Sequence, residues 1–370
     1  MLEKGKISAL QMGLILHPTV IATGILFVPA ISGTHAGRDL WMTPFVACLA
    51  GFYAFWVAVK LHKMYPKQTV MEYSEAILGK WVGKMVTAFL LFYYLDSLGI
   101  ISREYAEFII GGFLPNTPLY VVTGSMLFVC ALAVYGGIEV IARATQMFMP
   151  TIFIVLAALF IFLIPDLEIK NMFPILEKGF GPVFKGSVSF IGWFGEFFLA
   201  AFLLPFVTDH ENTKKWGIIS VISVLLAMSM SNFIGLLLFG ESVSKLMYPV
   251  LTAAKFINIA DFIDHIEAIF AMIWVASIFM KISFFFYAAA LSTAQWLQLS
   301  DYKSVVFPLA FLGVVWSIWS TPNISSFTQY LGTIAPFYLI TVHIAIPTFL
   351  LIAAYVKKAL SKKKGVSMHG

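Results

Sequence analysis

Runs of 18 or more predominantly apolar residues recur along this chain, separated by short breaks rich in charge, glycine or proline. Inside a bilayer such a run must satisfy its own backbone N–H and C=O groups, and a helix of about 20 residues does so while crossing ~30 Å of hydrocarbon. The runs do not alternate with a period of two, so they predict spanning helices and not the strands of an outer-membrane barrel. Breaks in hydropathy place ten spans at 7–31, 40–61, 81–111, 118–137, 143–165, 187–207, 216–240, 265–298, 303–321 and 329–355. Composition agrees: of 370 residues, 60% are hydrophobic and only 12% charged, the latter about half the share in a soluble domain. The predicted fold class is an all-α polytopic membrane protein, one integral membrane domain. The first run, from Ile7 to Ile31, exceeds the apolar core of a signal peptide and reads as a retained span. Cys48 and Cys130 fall inside apolar runs and read as small core residues, not as a disulfide or a metal site.

The formal net charge of +5 invites a nucleic-acid reading, which the distribution of charge removes. With the N-terminus inside, the inner segments carry Lys4, Lys6, Lys60, Lys63, Lys67, Lys80, Lys84, Arg143, Lys214, Lys215, Lys303, Lys357, Lys358, Lys362, Lys363 and Lys364. The outer segments carry only Arg38, Lys170, Lys178, Lys185, Lys245 and Lys255. This bias predicts both termini in the cytoplasm and an even number of spans. The Lys-rich tail is a topology anchor that also suits anionic lipid. The longest outer loop, near 166–186, is too short for a soluble domain, and no G-x-x-x-x-G-K-[ST] loop occurs, so nucleotide-driven pumping by this chain alone is excluded.

The first five spans cover 7–165 and the last five 187–355, and an odd number per half gives the halves opposite orientations, as in the inverted repeats of secondary transporters. The third span of each half is the long one. A short stretch introduced by Tyr-Pro precedes each: Tyr65-Pro66 before Thr69–Leu78, and Tyr248-Pro249 before Thr252–Ile263. These stretches predict one inner and one outer interfacial helix. The first and sixth spans carry helix breakers, Pro18, Gly24 and Pro29 in one and Gly192, Gly195 and Pro205 in the other, and both are expected to be broken.

This layout, with the Thr23-Gly24-Ile25 turn, resembles the amino acid/polyamine/organocation (APC) transporter superfamily and its LeuT-like 5+5 fold. More narrowly, the chain resembles the B subunits of spore germination (Ger-type germinant) receptors, the spore permeases. The residues carrying that likeness are Lys6-Ile7-Ser8, Thr23-Gly24-Ile25-Leu26 with Pro29, Tyr65-Pro66 with Leu78-Gly79-Lys80, Gly137-Ile138-Glu139 with Ala142-Arg143, and Asn171-Met172-Phe173-Pro174-Ile175-Leu176 followed by Gly179 and Gly186. The resemblance implies a small-molecule germinant, an amino acid by analogy, an A subunit and a C lipoprotein as partners, and the spore inner membrane as location.

An interrupted helix exposes N–H groups on one side of its break and carbonyls on the other, which suits a zwitterion such as an amino acid. Thr23 and Gly24 are the first candidates for ligand binding, with Gly192 and Gly195 as counterparts. Tyr93 and Ser97 share one helix face by i,i+4 spacing, as do Ser283 and Tyr287, and a pocket between these faces is expected. Ionisable groups inside spans cost roughly 2.5–3.5 kcal/mol each on insertion scales, so they mark function by default. Asp96, Glu196 and Lys281 are the clearest, and Asp96 or Glu196 is expected to pair with Lys281, where the fixed ammonium replaces the charge of a coupling sodium ion. Arg103 and Glu107, i,i+4, read as a structural pair, and His17 and His343 as hydrogen-bonded packing residues. No H-E-x-x-H, G-x-S-x-G or C-x-x-C pattern occurs, and the reading includes no enzyme activity, cofactor or metal. Three functions are carried forward: a germinant sensor, a secondary amino acid transporter with proton coupling, and a channel or structural subunit.

Overall fold

A computed structural model of the chain describes residues 2–257 and 266–366. The first span is α1 (Ala9–Ala36), opened by a reciprocal cap in which the Ser8 hydroxyl accepts the Gln11 N–H and the Gln11 side chain accepts the Ser8 N–H. A 3-10 turn at Gly37–Met42 leads into α2 (Thr43–Met64). Next come α3 (Val70–Leu78), α4 (Lys80–Gly112), α5 (Leu119–Gly136) and α6 (Ile138–Leu163). The sixth span is composite: α7 (Gly181–Gly195), a 3-10 turn at Glu196–Leu199, the single turn α8 (Ala200–Leu203) and a second 3-10 turn at Leu204–Phe206. After it come α9 (Thr213–Phe239), α10 (Pro249–Ala254), α11 (Ile266–Trp296) and α12 (Lys303–Trp319). The chain closes with α13 (Ile324–Thr333), α14 (Ala335–Ile340), a π turn at Thr341–Ala345 and α15 (Ile346–Val366).

Eight stretches of described residues are long and apolar enough to cross a membrane, and the bent pair α12–α13 makes a ninth. The longest, Ala9–Met64, contains both α1 and α2, of 28 and 22 residues, so ten crossings are accommodated among the described residues. The contacts of α9 show that α1 and α2 run in opposite directions. Near its start Gly13 of α1 meets the Trp216 carbonyl and Phe55 of α2 covers Gly217; farther along, Asn232 donates to the Leu40 carbonyl at 2.8 Å. At 1.5 Å per residue, α4, with 33 residues, is about 50 Å long. It must therefore tilt to stay within the hydrocarbon, as its length in sequence predicts.

Three expectations need correction. First, α1 is continuous through Pro18, Gly24 and Pro29, so the expected break in the first span is absent. Each proline removes one N–H from the ladder, but the helix continues through the loss inside the bundle, 89% of its apolar window being buried. Gly24 serves close approach instead: a Cβ there would lie 2.1 Å from the Met228 methyl carbon. Second, the tenth span begins at Ala335 and not at 329, because 324–333 form a separate amphipathic helix, bent 98° from α12 and capped by the Asn323 side chain on the Ser326 N–H. Third, the helix expected at Thr252–Ile263 is the shorter α10; the remainder, from 258, lies outside the described residues. The inner counterpart, α3, is present, with a Thr69–Glu72 capping box.

The centre of the bundle is formed by α1, the sixth span and α11, with α2, α4 and α9 packed around them. The sixth span is antiparallel to α1. Gly186 at its start abuts the Ser32 carbonyl, where a Cβ would come within 2.9 Å, and at its end Ile7 N–H donates to the Phe206 carbonyl at 3.0 Å. On the rim, Arg103 pairs with Glu107 as expected and also donates to the Ser317 and Thr321 carbonyls at 3.1 and 3.3 Å, at the α12–α13 corner. Both cysteines are buried and free.

Candidate functional site

Where α1, the sixth span, α4, α11 and α13–α14 converge, they enclose a cavity of about 50 Å3. That volume suits a few waters and is far below the few hundred Å3 of an ordinary ligand pocket. Its floor is polar. Lys281, 1% exposed on α11, places Nζ 2.9 and 3.1 Å from the two Glu196 carboxylate oxygens and donates to Thr23 Oγ1 at 2.7 Å. Thr23 also accepts the Trp193 indole N–H at 2.9 Å, so its own O–H remains free to donate. The Lys281 ammonium further lies 5.4 Å from the Phe285 ring centroid.

Local structure explains why Glu196 can reach. Gly195 ends α7 against His343, where an added Cβ would lie 3.1 Å from the His343 Cβ and fit only tightly. From Glu196 the hydrogen bonding tightens from i,i+4 to i,i+3, which rotates the carboxylate out of α-helical register. A buried pair of this kind must recover desolvation by geometry, and here both carboxylate oxygens and the hydroxyl of Thr23 surround the ammonium.

The walls hold two further carboxylates. Asp96 accepts the Trp316 indole N–H at 2.8 Å, so of the two acids expected beside Lys281, Glu196 makes the contact and Asp96 does not. Glu104, 2% exposed, lines the cavity with Oε1 lacking a hydrogen-bond partner. The roof is Tyr330 and Leu331 of α13 with Ala335, Tyr338 and Leu339 from the start of the last span. On the other side of α13, Thr328, Gln329 and Gly332 face a larger cavity of about 650 Å3, so one short helix separates the two spaces.

The structure divides the residues singled out from sequence. Thr23, Tyr93, Asp96, Ser97, Glu196 and Lys281 meet at the cavity. Gly24 lies against Met228, and Gly192 and Gly195 lie against Leu339 and His343, where they admit neighbouring helices. Ser283 is buried outside the cavity, and Tyr287 packs near Tyr302, ring centroids 5.8 Å apart, where the Tyr302 hydroxyl donates to Glu3. His17 and His343 pack edge-on against Phe153 and Tyr93, and none of their ring nitrogens has a hydrogen-bond partner, contrary to expectation. Among the described residues no group of three His, Cys, Asp or Glu is placed to hold a metal ion.

Sequence reasoning missed Trp193 and the tyrosines of the roof, and noted Glu104 only as one of the charges near the outer end of the third span. Glu104 had a signal. Arg103 is matched by Glu107 one turn on, which leaves the intervening acid without a partner inside an apolar helix. Trp193 lies within the Gly192–Gly195 window, where only the glycines were singled out.

Comparisons with known proteins agree with this geometry. A family model described as Spore germination protein (spore permease) matches residues 6–325. Among curated proteins, the chain is 24% identical to Spore germination protein KB of Bacillus subtilis (strain 168), over 98% of this chain and 99% of that one. It is 25% identical to Spore germination protein YndE of the same organism, over 95% and 97%. Among solved structures it is similar to Mhp1, a nucleobase-cation-symport-1 family transporter in a closed conformation with bromovinylhydantoin bound, with TM-score 0.67 and 10% identity, covering 94% of this chain and 78% of that one. It is also similar to a substrate-bound, outward-open Na+-coupled sialic acid symporter, with TM-score 0.65 and 13% identity, covering 92% and 79%. The fold is therefore that of the LeuT-like transporters, with no strands among the described residues.

Proposed function

The chain belongs to the spore germination protein family, and on that footing we propose that it is the germinant-sensing membrane subunit of a spore receptor, binding a small zwitterion, an amino acid, above Lys281. One observation carries this reading: the Thr23–Lys281–Glu196 cluster forms the floor of a cavity whose wall holds Glu104 with a free carboxyl oxygen. The ammonium and the free Thr23 O–H suit a carboxylate, and Glu104 and Asp96 suit an ammonium group. Gly24, Gly192 and Gly195 set the packing that holds these groups, and Tyr93 and Ser97 shape the wall. At about 50 Å3 the cavity admits an amino acid only after the roof shifts. Binding is thereby coupled to movement, as a sensor requires.

The expected partners are an A subunit and a C lipoprotein in the spore inner membrane, with both termini cytoplasmic; a reporter fused after Gly370 tests the orientation by its side of the membrane. Two five-helix halves, 7–165 and 187–355, form the repeat. No enzyme chemistry is invoked.

A thermal-shift panel of amino acids and other small germinants on the purified protein tests the site. A ligand at ~100 times its Kd stabilises the folded state by about 2.7 kcal/mol. The shift disappears in a Thr23→Val/Glu104→Gln variant. A full panel without any shift overturns the reading, and concentrative uptake by reconstituted protein replaces it with the transporter reading.

A further inference from the structure

A second cavity, of about 470 Å3, opens where the end of α2 meets the start of α9, and it shares no residue with the first. α2 contributes His62 and Lys63, and the turn into α9 contributes His210, Thr213 and Lys214. The two imidazole rings lie 5.5 Å apart at 30°, and His62 Nδ1 is buried without a hydrogen-bond partner.

Four features point to an anion here. α9 has 27 residues and its first turn lines the cavity, so the positive end of its macrodipole faces the space, and Asn212 at the cap makes no side-chain bond to that turn. Thr213, 4% exposed, carries a buried hydroxyl with no hydrogen-bond partner. Lys63 and Lys214 form no ion pair among the described residues, whereas Lys60 and Lys215 beside them rest over Trp56 and Trp216, at 5.6 and 5.5 Å from the ring centroids. The one acid in the lining, Glu211, is exposed, and nearby Asp209 is engaged by the Ala9 N–H at 2.6 Å and the Asn212 side chain at 3.2 Å.

The position selects the kind of anion. One helical turn into the membrane from Lys60 and Lys214, Trp56 and Ile218 are 45% and 44% exposed, on the hydrocarbon-facing surface of the same two helices. An exposed tryptophan at that depth marks the headgroup level. Basic pockets between helix ends bind phosphate headgroups, by the same donors that bind phosphate at helix N-termini. We propose that this cavity is a phosphate-binding site, filled in the membrane by the headgroup of an anionic phospholipid. The lysines neutralise the phosphate, the Thr213 hydroxyl and His62 Nδ1 donate hydrogen bonds to it, and the α9 macrodipole favours its charge.

The test uses the purified full chain in a non-ionic detergent, with apparent Tm measured against dihexanoylphosphatidylglycerol, dihexanoylphosphatidylcholine and sodium phosphate. The phosphatidylglycerol raises Tm more than the phosphatidylcholine does at equal concentration. In the Lys63→Gln/Lys214→Gln variant the half-saturating phosphatidylglycerol concentration rises about thirtyfold, each lysine near a charged surface contributing about a factor of five. Lys63→Arg/Lys214→Arg restores it, and Lys178→Gln/Lys245→Gln, away from this cavity, leaves it unchanged. Equal shifts by the two lipids, or the same midpoint in the Gln variant and the parent, overturn the proposal. A shift by sodium phosphate equal to that by phosphatidylglycerol, and lost in the Gln variant, retains the phosphate site and overturns the lipid as its source.

Discussion

The first and sixth spans are antiparallel neighbours at the centre of the bundle, and 89% of the apolar window of each is buried, yet they are built differently. α1 carries two prolines and remains one continuous 28-residue helix. The sixth span, with prolines only near its two ends, Pro182 and Pro205, changes hydrogen-bonding pattern at Glu196 and again at Leu204. Helix breakers in the sequence therefore locate the break in the sixth span, directly after Gly195 and again at Pro205, but not in α1. What separates the two spans is the side chain each delivers: α1 brings a hydroxyl, which an α-helix presents without distortion, and the sixth span brings a charge, which must turn inward to reach Lys281. The irregular backbone sits where a buried carboxylate has to be aimed, and backbone that leaves regular helix inside a membrane is tolerated when it is enclosed by protein.

Four changes test that contrast, in order of size. Lys281→Met leaves Glu196 buried without its counter-charge and is expected to cost about 3–5 kcal/mol, read as a fall in apparent Tm. Adding Glu196→Met recovers most of that loss, while ligand response stays absent. If Lys281→Met alone is neutral, the pair does not hold the sixth span in its shape. Gly186→Val drives a side chain into the Ser32 carbonyl and separates the two spans at one end, at about 1–3 kcal/mol by the same measurement. Trp193→Phe removes one hydrogen bond to Thr23, about 1 kcal/mol, and frees the threonine side chain, so it weakens ligand binding more than it weakens the fold. The smallest effect is at the opposite end, where Asp209 caps the first turn of α1 by accepting the Ala9 N–H. Partial burial raises the Asp209 carboxyl, but the hydrogen bonds from Ala9 and Asn212 outweigh it and hold the group below the usual carboxylate range. Its contribution is present above the unfolded value of about 4 and is lost as pH falls through the depressed folded value. The Tm difference between the parent and Asp209→Asn accordingly narrows on acidification, and a difference independent of pH would exclude a charge-based cap.

The fold was legible because the bilayer imposes lengths: ten apolar runs could only be helices. The failures share a cause. Residues 324–333 are apolar enough to merge with the span after them, and only the Asn323 cap distinguishes them in sequence. At the site, Glu196 and Lys281 were found because charge inside an apolar run is rare, and Thr23 was found from an expected helix break that α1 does not have. The choice between Asp96 and Glu196 stayed open because the partner of Asp96, Trp316, lies 220 residues away and carries no charge to match. Charge bookkeeping finds ions and overlooks the indole N–H groups that satisfy them.

Arg103 gives the rim a mechanical meaning. Its guanidinium holds Glu107 on its own helix and reaches across to the Ser317 and Thr321 carbonyls, the groups that the 98° corner of α12–α13 leaves without helical partners. The corner is thus a joint pinned from outside by a side chain of α4, the helix that also supplies Tyr93, Asp96, Ser97 and Glu104 to the cavity. Wall and roof are geared together: the roof helix cannot swing on its joint without drawing the pin or carrying the wall with it.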